Sequence, residues 1–323
     1  MPGRSSRLRP LLPRAPRRVA LAVVLCVLTA ACGASTGASG APGSIKSRAH
    51  VAPPLVPVAG GTATVALDDV PATLNDHTVT GDTAAGRMLA SAVWAQVFRV
   101  GPGLTPQLDT NVVDSAEVVS LQPQTVVYQI DPRAVWSDGV PISADDFAYA
   151  WQSQKGGAVD VDGTADSVAS TLGYRDIDSL TSSDGGKTVT VVFHTPFADW
   201  ASLFDDLLPA HIAEVVGWNH GFDTFDPTVL VSAGPWEVTS WVPGSEIVLG
   251  RNPRWWGSPP TLDRIVLQAA SGNGVLTSAL GGGRVQVAYP SGFDQSLMAQ
   301  VSSSPLLETQ VGLGTTMLQL EFN

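Results

Sequence analysis

Apolar and polar residues alternate with a period of two in several short segments of the chain. Side chains two residues apart lie on the same face of a β-strand, so this alternation indicates strands that cover a core on one side. Five segments predict strands of this kind: Thr62–Leu67, Thr125–Ile130, Lys187–Phe193, Asp263–Leu267 and Arg284–Ala288.

Two further alternating segments predict a β-hairpin. Trp236–Trp241 and Ser245–Leu249 flank Val242-Pro243-Gly244, and proline and glycine favour a turn between them.

Helical spacing of apolar residues predicts a helix over residues 144–154. Ser143 and Asp146 at its start resemble a capping box with a shorter acid. Val275–Leu280, which is followed by three glycines, predicts a second, short helix, whereas residues 73–92 carry mixed helix and loop signals. Strands and helices interleave along the chain, so we expect an α/β fold with mixed sheets.

The first residues have the pattern of an export signal. Six arginines and no acid precede or flank a short apolar run, Val19–Leu28, which is too short to span a bilayer. The sequence Leu28-Thr29-Ala30-Ala31-Cys32 resembles a bacterial lipobox, in which the cysteine is acylated and becomes the new N-terminus. We therefore expect a signal peptide over 1–31, lipidation at Cys32, and an exported protein anchored on the outer face of the cell membrane.

Residues 32–59 predict a flexible tether. They begin with a Gly/Ser/Ala-rich run that has too little apolar surface to fold. Gly33-Ala34-Ser35-Thr36-Gly37 in this run matches a serine hydrolase pattern, but the strand and helix that the pattern requires are missing around it.

The charge of the chain argues against nucleic acid as a partner. The formal net charge is −11, and six of the 18 basic residues lie in the predicted signal peptide, which leaves 12 against 29 acids and a charge of −17. Phosphate backbones need neutralisation by Lys and Arg. An acidic surface of this kind favours solubility.

The side-chain inventory gives little support for catalysis or a cofactor. The two cysteines of the chain are Cys26 and Cys32, so the remainder of the sequence has no thiol. No two of the five histidines have the spacing of a metal site. No phosphate-binding loop is present, and no pair of carboxylates can be placed across a cleft. We expect no enzyme activity, no cofactor and no metal.

Six segments of residues 60–323 resemble segments of the family 5 extracellular solute-binding proteins and follow one another in the same order. This family includes the peptide receptors of ABC importers. Val135–Asp146 is similar to the family's "F.DGTP.TAEDV" stretch and is the most specific match. The others are Gly60–Leu67 with Leu74-Asn75-Asp76-His77, Thr105–Leu108, Ser232–Trp236, Arg251–Gly257 and Leu280–Ala288.

The resemblance implies a lobe with the type II periplasmic-binding-protein fold, peptide-receptor subclass, with a mixed sheet and an inserted smaller α+β domain. By this mapping, residues 60–84 and 213–323 form the split lobe I and residues 85–212 form the insert. Leu318–Asn323 resembles the segment that leads into the second, ligand-closing lobe, which the mapping leaves outside the sequence.

The resemblance also implies where a solute binds. The segment after the first strand faces the cleft in the family, and here it holds Asp68, Asp69 and Val70, although two solvated turn acids would also explain the carboxylates. The same mapping adds four residues from later segments: Gly234, Trp236, Met317 and Gln319.

The partners implied by the resemblance are a peptide or other small solute and an ABC permease, with the membrane reached through the lipid anchor and the protein acting as a monomer. A second hypothesis for the function stays open, because proteins with the family's fold also serve cell-envelope (lipoglycan) assembly in actinobacteria. Ser232-Ala233-Gly234-Pro235-Trp236 departs from the family's "GTGPY", and Gln286 replaces a frequent Asp, so the ligand class is open.

Overall fold

The computed structural model describes residues 59–101, 104–290, 295–304 and 307. Its helices and strands follow one another in this order: β1 (Thr62–Leu67), α1 (Ala84–Val93), β2 (Phe98–Val100), β3 (Pro106–Leu108), β4 (Val113–Leu121), β5 (Gln124–Ile130), α2 (Ala144–Gln154), β6 (Ile177–Ser183), β7 (Thr188–Phe193), α3 (Ala210–Val216), β8 (Trp236–Val242), β9 (Glu246–Arg251), β10 (Arg264–Ala269), α4 (Asn273–Gly281), β11 (Val287–Tyr289) and α5 (Gln295–Ser302).

The first sheet has five strands in the order β11-β1-β10-β9-β8. β1 lies parallel to both β10 and β11, with Thr62 opposite Arg264 and Leu67 opposite Tyr289. β9 is antiparallel to its neighbours β10 and β8. The sheet therefore draws its strands from both ends of the described chain.

The second sheet is antiparallel, with the strand order β4-β5-β7-β6. All four strands lie between residues 113 and 193, inside the range expected for the insert. β5 and β7 are the inner strands, and their alternating side chains are buried, which accounts for their clear apolar pattern in the sequence.

One continuous apolar core joins the two sheets. It includes Leu67 and Val238 from the first sheet and Val126 and Tyr128 from the second. Trp94, at the end of α1, makes edge-on aromatic contacts with Trp136 and Phe222 within this core. A smaller cluster packs β1 against α4 and consists of four buried residues: Ala66, Leu276, Ala279 and Val285.

The predicted helix over residues 144–154 is confirmed as α2, and its capping box is present. Ser143 Oγ accepts a hydrogen bond from Asp145 N, and Asp146 Oδ2 accepts one from Ser143 N. The predicted hairpin is confirmed as β8 and β9. Among the described residues, no helix is both long enough and apolar enough to cross a bilayer.

The strand expected over Arg284–Ala288 is shifted toward the C-terminus. Arg284 N and Val285 N donate to the carbonyl of Ala279 and so close the end of α4. Gln286 N donates to Thr64 O, and strand pairing with β1 begins at Val287. The carbonyl of Ala279, one of those at the helix end that lack a partner within the helix, binds the first two residues of the expected strand.

Candidate functional site

The carboxyl ends of three parallel strands meet at one edge of the first sheet. Since β1 is parallel to β10 and β11, the residues that follow Leu67, Ala269 and Tyr289 leave the sheet on the same side. Ala270 N donates to Leu67 O at 2.7 Å and ties the first two of these ends together. In sheets of this kind, ligands bind outside the carboxyl ends of parallel strands.

Asp68, Asp69 and Val70 form the segment that leaves β1 at this edge. Asp68 is half-buried, Asp69 is exposed, and Asp69 Oδ1 accepts a hydrogen bond from Val70 N at 2.8 Å. Val70 is 4% exposed and packs in the main core. This edge of the sheet therefore presents two carboxylates, and the residue that follows them, Val70, is held in place by packing in the core.

Gly234 lies away from this edge and packs against the end of α1. Its N–H donates to Val93 O at 2.9 Å, and its carbonyl accepts from Asn252 Nδ2 at 2.9 Å. A Cβ atom on Gly234 would lie 2.2 Å from the carbonyl oxygen of Ala92. The absence of a side chain thus allows a close backbone approach.

Trp236 pairs with Arg251 of β9. This pair lies at the end of the first sheet where β1 and β10 begin, opposite the end where they finish. It is half-buried and packs against the main core, and its carbonyl accepts a hydrogen bond from Ser232 Oγ. The strand directions therefore separate Trp236 from Asp68 and Asp69 by the length of the sheet. Cys32, Met317 and Gln319 lie outside the described residues.

A groove of about 320 Å³ lies between α2 and α3. It is lined in part by Asp145, Asp146, Tyr149 and His211. Burial raises the pKa of Asp146 to about 6, although its carboxylate accepts hydrogen bonds from backbone N–H groups. His211 Nε2 lies 2.8 Å from Asp138 Oδ2, a contact between residues too distant in sequence for any spacing rule to reveal.

Among the residues that the structure describes, no group of three or more His, Cys, Asp or Glu side chains is arranged to hold a metal ion.

The chain matches proteins of known class over most of its length. The model for bacterial extracellular solute-binding proteins, family 5 (middle region), matches residues 103–323. The probable monoacyl phosphatidylinositol tetramannoside-binding protein LpqW of Mycobacterium tuberculosis is 31% identical over 299 residues, which is 90% of this chain and 45% of LpqW.

Two more relatives agree with this match. The oligopeptide-binding protein OppA of Mycobacterium tuberculosis is 35% identical over 212 residues, which is 64% of this chain and 34% of OppA. The structure of the periplasmic EDTA-binding protein EppA superposes with a TM-score of 0.68 at 34% identity and covers 76% of this chain and 46% of that one. The chain spans less than half the length of each of these relatives.

The expected fold class is confirmed by the mixed sheets and by this superposition, which is with a periplasmic binding protein. The chain belongs to the family 5 bacterial extracellular solute-binding proteins.

Proposed function

We propose that this chain is part of a lipid-anchored extracellular protein that captures peptide-like solutes and delivers them to an ABC importer. The observation that carries the proposal is the edge where β1, β10 and β11 end, with Asp68 and Asp69 on the segment that leaves β1. Membership of the family and the similarity to OppA support it.

A carboxylate at this edge suits one end of a peptide. A free α-amino group is cationic at neutral pH, and a hydrogen bond between an ammonium and a carboxylate is stronger than one between neutral groups. The packing of Val70 in the core limits the movement of the Asp68–Asp69 segment, so less conformational entropy is lost when a ligand binds. No chemical step is required of the protein, which fits a binding role.

Replacing both Asp68 and Asp69 by Asn should weaken binding of short peptides with a free amino terminus by about 10-fold or more, since hydrogen bonds to charged groups contribute about 1.5–3 kcal/mol. Calorimetry or fluorescence titration with the full chain measures this. The same peptides with an acetylated amino terminus are the matched ligands, and their affinity should be equal for parent and variant. Equal loss for both peptide sets would contradict a direct contact between these carboxylates and the amino group.

A second function, in cell-envelope assembly, is favoured by one observation: the similarity to LpqW extends over 90% of this chain, further than the similarity to OppA. In that case the same edge would meet a lipoglycan or its precursor. Titration with phosphatidylinositol mannosides beside the peptides separates the two functions. Saturable binding of the glycolipid in the absence of peptide binding would replace the transport proposal.

Replacing Cys32 by Ala should move the protein from the membrane fraction to the soluble exported fraction, because the thiol that receives the lipid is removed. Cell fractionation followed by immunoblotting measures the distribution. Cys26→Ala is the matched control and should stay in the membrane fraction. If Cys32→Ala also stays there, the lipid anchor is refuted.

A further inference from the structure

The end of the first sheet where β1 begins carries arginine side chains from several elements. β1 and β10 begin together, and Arg264 is the first residue of β10. β9 is antiparallel to β10, so its last residue, Arg251, lies at the same end. Arg284 follows α4, and Gln286, two residues later, donates its backbone N–H to Thr64 O of β1 at 3.0 Å. Three exposed arginines therefore lie at the end opposite the proposed binding edge.

The turn that follows β9 adds a fourth exposed arginine, Arg254, and two tryptophans. Trp255 and Trp256 are half-buried, and their ring centroids are 4.8 Å apart. Trp256 packs against the main core and donates its indole N–H to Asn111 O at 2.6 Å, so Trp255 rests on a fixed neighbour. Tryptophan is enriched where membranes meet water, because its ring is apolar and its N–H is polar.

The charge at this end differs from that of the chain as a whole. Residues 60–323 contain 29 acidic residues and ten Lys and Arg residues. Four of those ten form what we call the arginine patch: Arg251, Arg254, Arg264 and Arg284. Asp263 lies 3.0 Å from Arg251 and offsets one of the four charges. Glu237 of β8 lies near the same end and is half-buried. The patch therefore keeps an excess of positive charge on an acidic protein.

The start of the folded chain is fixed in the middle of the arginine patch. Gly60 N donates to Thr261 O at 2.7 Å, and the same carbonyl accepts a hydrogen bond from Arg251 Nη2 at 2.8 Å. Gly61 N donates to Asp263 Oδ2 at 2.9 Å. The chain that precedes Gly60 is therefore joined to the fold between the strands that carry the arginines.

That preceding chain is the predicted tether, residues 32–59. A flexible chain of this length has a root-mean-square reach of about 30 Å. A lipid on Cys32 would thus keep the arginine patch close to the membrane surface. The tether contains Lys46 and Arg48 and no acid, so it adds positive charge on the same side.

We propose that the arginine patch, with Trp255 beside it, is a docking surface for a membrane that contains anionic lipids. Phosphate headgroups supply the negative charge that the arginines complement, and the interface accommodates the partly exposed indole. The acidic remainder of the chain is repelled by the same lipids, which selects this end of the sheet.

Docking of this kind sets the direction in which the binding edge faces. β1 spans six residues, or about 20 Å, between the arginine patch and the Asp68–Asp69 segment. With the patch on the membrane, those carboxylates face away from the lipid and toward solutes outside the cell. This orientation rests on the proposed lipid anchor, whereas the attraction between the patch and anionic lipid does not.

Replacing both Arg264 and Arg284 by Gln should weaken binding of the full chain to phosphatidylglycerol vesicles by about 10-fold or more, since each arginine near an anionic surface contributes about 5-fold. Co-sedimentation with the vesicles measures binding. Every protein carries Cys32→Ala, so no acyl chain contributes and the result is independent of the lipid anchor. The predicted signal peptide is common to all of the variants.

Lys155→Gln combined with Arg175→Gln is the matched control, because it removes two exposed positive charges that lie after α2 and before β6. Its affinity for the same vesicles should stay within about 2-fold of the parent, since electrostatic attraction falls off within a Debye length of the surface. Equal weakening in both double variants, or weakening in neither, would overturn the proposal.

Hydrogen exchange on the unsubstituted Arg264 and Arg284 protein locates the contact directly. Backbone amides of residues 252–262 and 282–286 should exchange more slowly on phosphatidylglycerol vesicles than on phosphatidylcholine vesicles, by about 2-fold or more. Amides of Asp68–Val70 should exchange equally on both. Slower exchange at Asp68–Val70 in place of the patch, or at neither, would refute docking through this end of the sheet.

Discussion

Replacing Gly234 by Ala should destabilise the chain by about 3 kcal/mol or more, which makes this the largest effect that we expect from a single methyl group. The added Cβ would lie 2.2 Å from Ala92 O, 2.8 Å from the Ala92 carbonyl carbon and 3.2 Å from Val93 N. These are backbone atoms of α1, so no side chain can rotate to make room. Relief requires β8 and α1 to move apart, and this breaks the hydrogen bond from Gly234 N to Val93 O.

Gly281→Ala is the matched control for this substitution. Gly281 ends α4, and a Cβ atom there meets no atom within 4 Å. We expect a change within about 1 kcal/mol, in the stabilising direction, because alanine restricts the unfolded chain more than glycine does. Urea unfolding of both variants gives the comparison. A Gly234→Ala variant as stable as Gly281→Ala would show that the close approach of Gly234 to α1 does not limit the stability of the fold.

Replacing Asp146 by Ala should destabilise the chain by about 3 kcal/mol, because it leaves one buried and one partly buried backbone donor without an acceptor. Asp146 Oδ1 accepts from Ala210 N at 2.9 Å, and Oδ2 accepts from Ser143 N at 2.9 Å. These bonds join the start of α2 to the start of α3. Because burial raises the pKa of Asp146 to about 6, part of the loss is offset by relief of an unfavourable buried charge at neutral pH.

The neighbouring Asp145 provides the control for Asp146. Both acids lie in the first turn of α2, but Asp145 is exposed, so Asp145→Ala removes only a favourable interaction with the helix dipole of about 0.3–1 kcal/mol. Chemical unfolding of the two variants at neutral pH measures the difference. Equal losses would mean that the hydrogen bonds from Ser143 N and Ala210 N do not stabilise the fold.

The parts of the fold that follow from local rules were predictable from the sequence. α2 was found because its apolar spacing and its capping residues lie within a dozen positions of each other. β8 and β9 were found because a proline and a glycine separate two alternating segments. The inner strands β5 and β7 were found because burial on one face imposes a strict alternation on the residues.

β4 was not predicted, and α1 was expected only within a stretch of mixed helix and loop signals over residues 73–92, because both have patterns altered by their position in the fold. β4 is an edge strand with irregular pairing near Val113 and Val118, which breaks the alternation and leaves Val119 and Leu121 exposed. α1 consists largely of small residues, because Gly86 and Ala90 are buried at close contacts, and small side chains give a weak apolar pattern. Local sequence cannot supply these tertiary requirements.

The candidate site was only partly predictable, for a related reason. The family resemblance implied that the segment with Asp68 and Asp69 faces the cleft, but the parallel pairing of β1 with β10 that sets its position is a feature of the fold. The distance of Trp236 from them depends on the direction of β8, which is set by its pairing with β9. His211 and Asp138 are brought together by the fold from distant parts of the chain, so no motif could reveal their contact.

Solute capture at this edge of the sheet is tested most directly by a backbone amide NMR titration of the full chain with short peptides at millimolar concentration, a range in which weak binding is visible. We expect shifts concentrated at Asp68–Val70 and at Ala270, which follows the neighbouring strand β10. Shifts confined to the groove between α2 and α3, near Tyr149 and His211, or no shifts with any peptide, would contradict solute capture at this edge of the sheet.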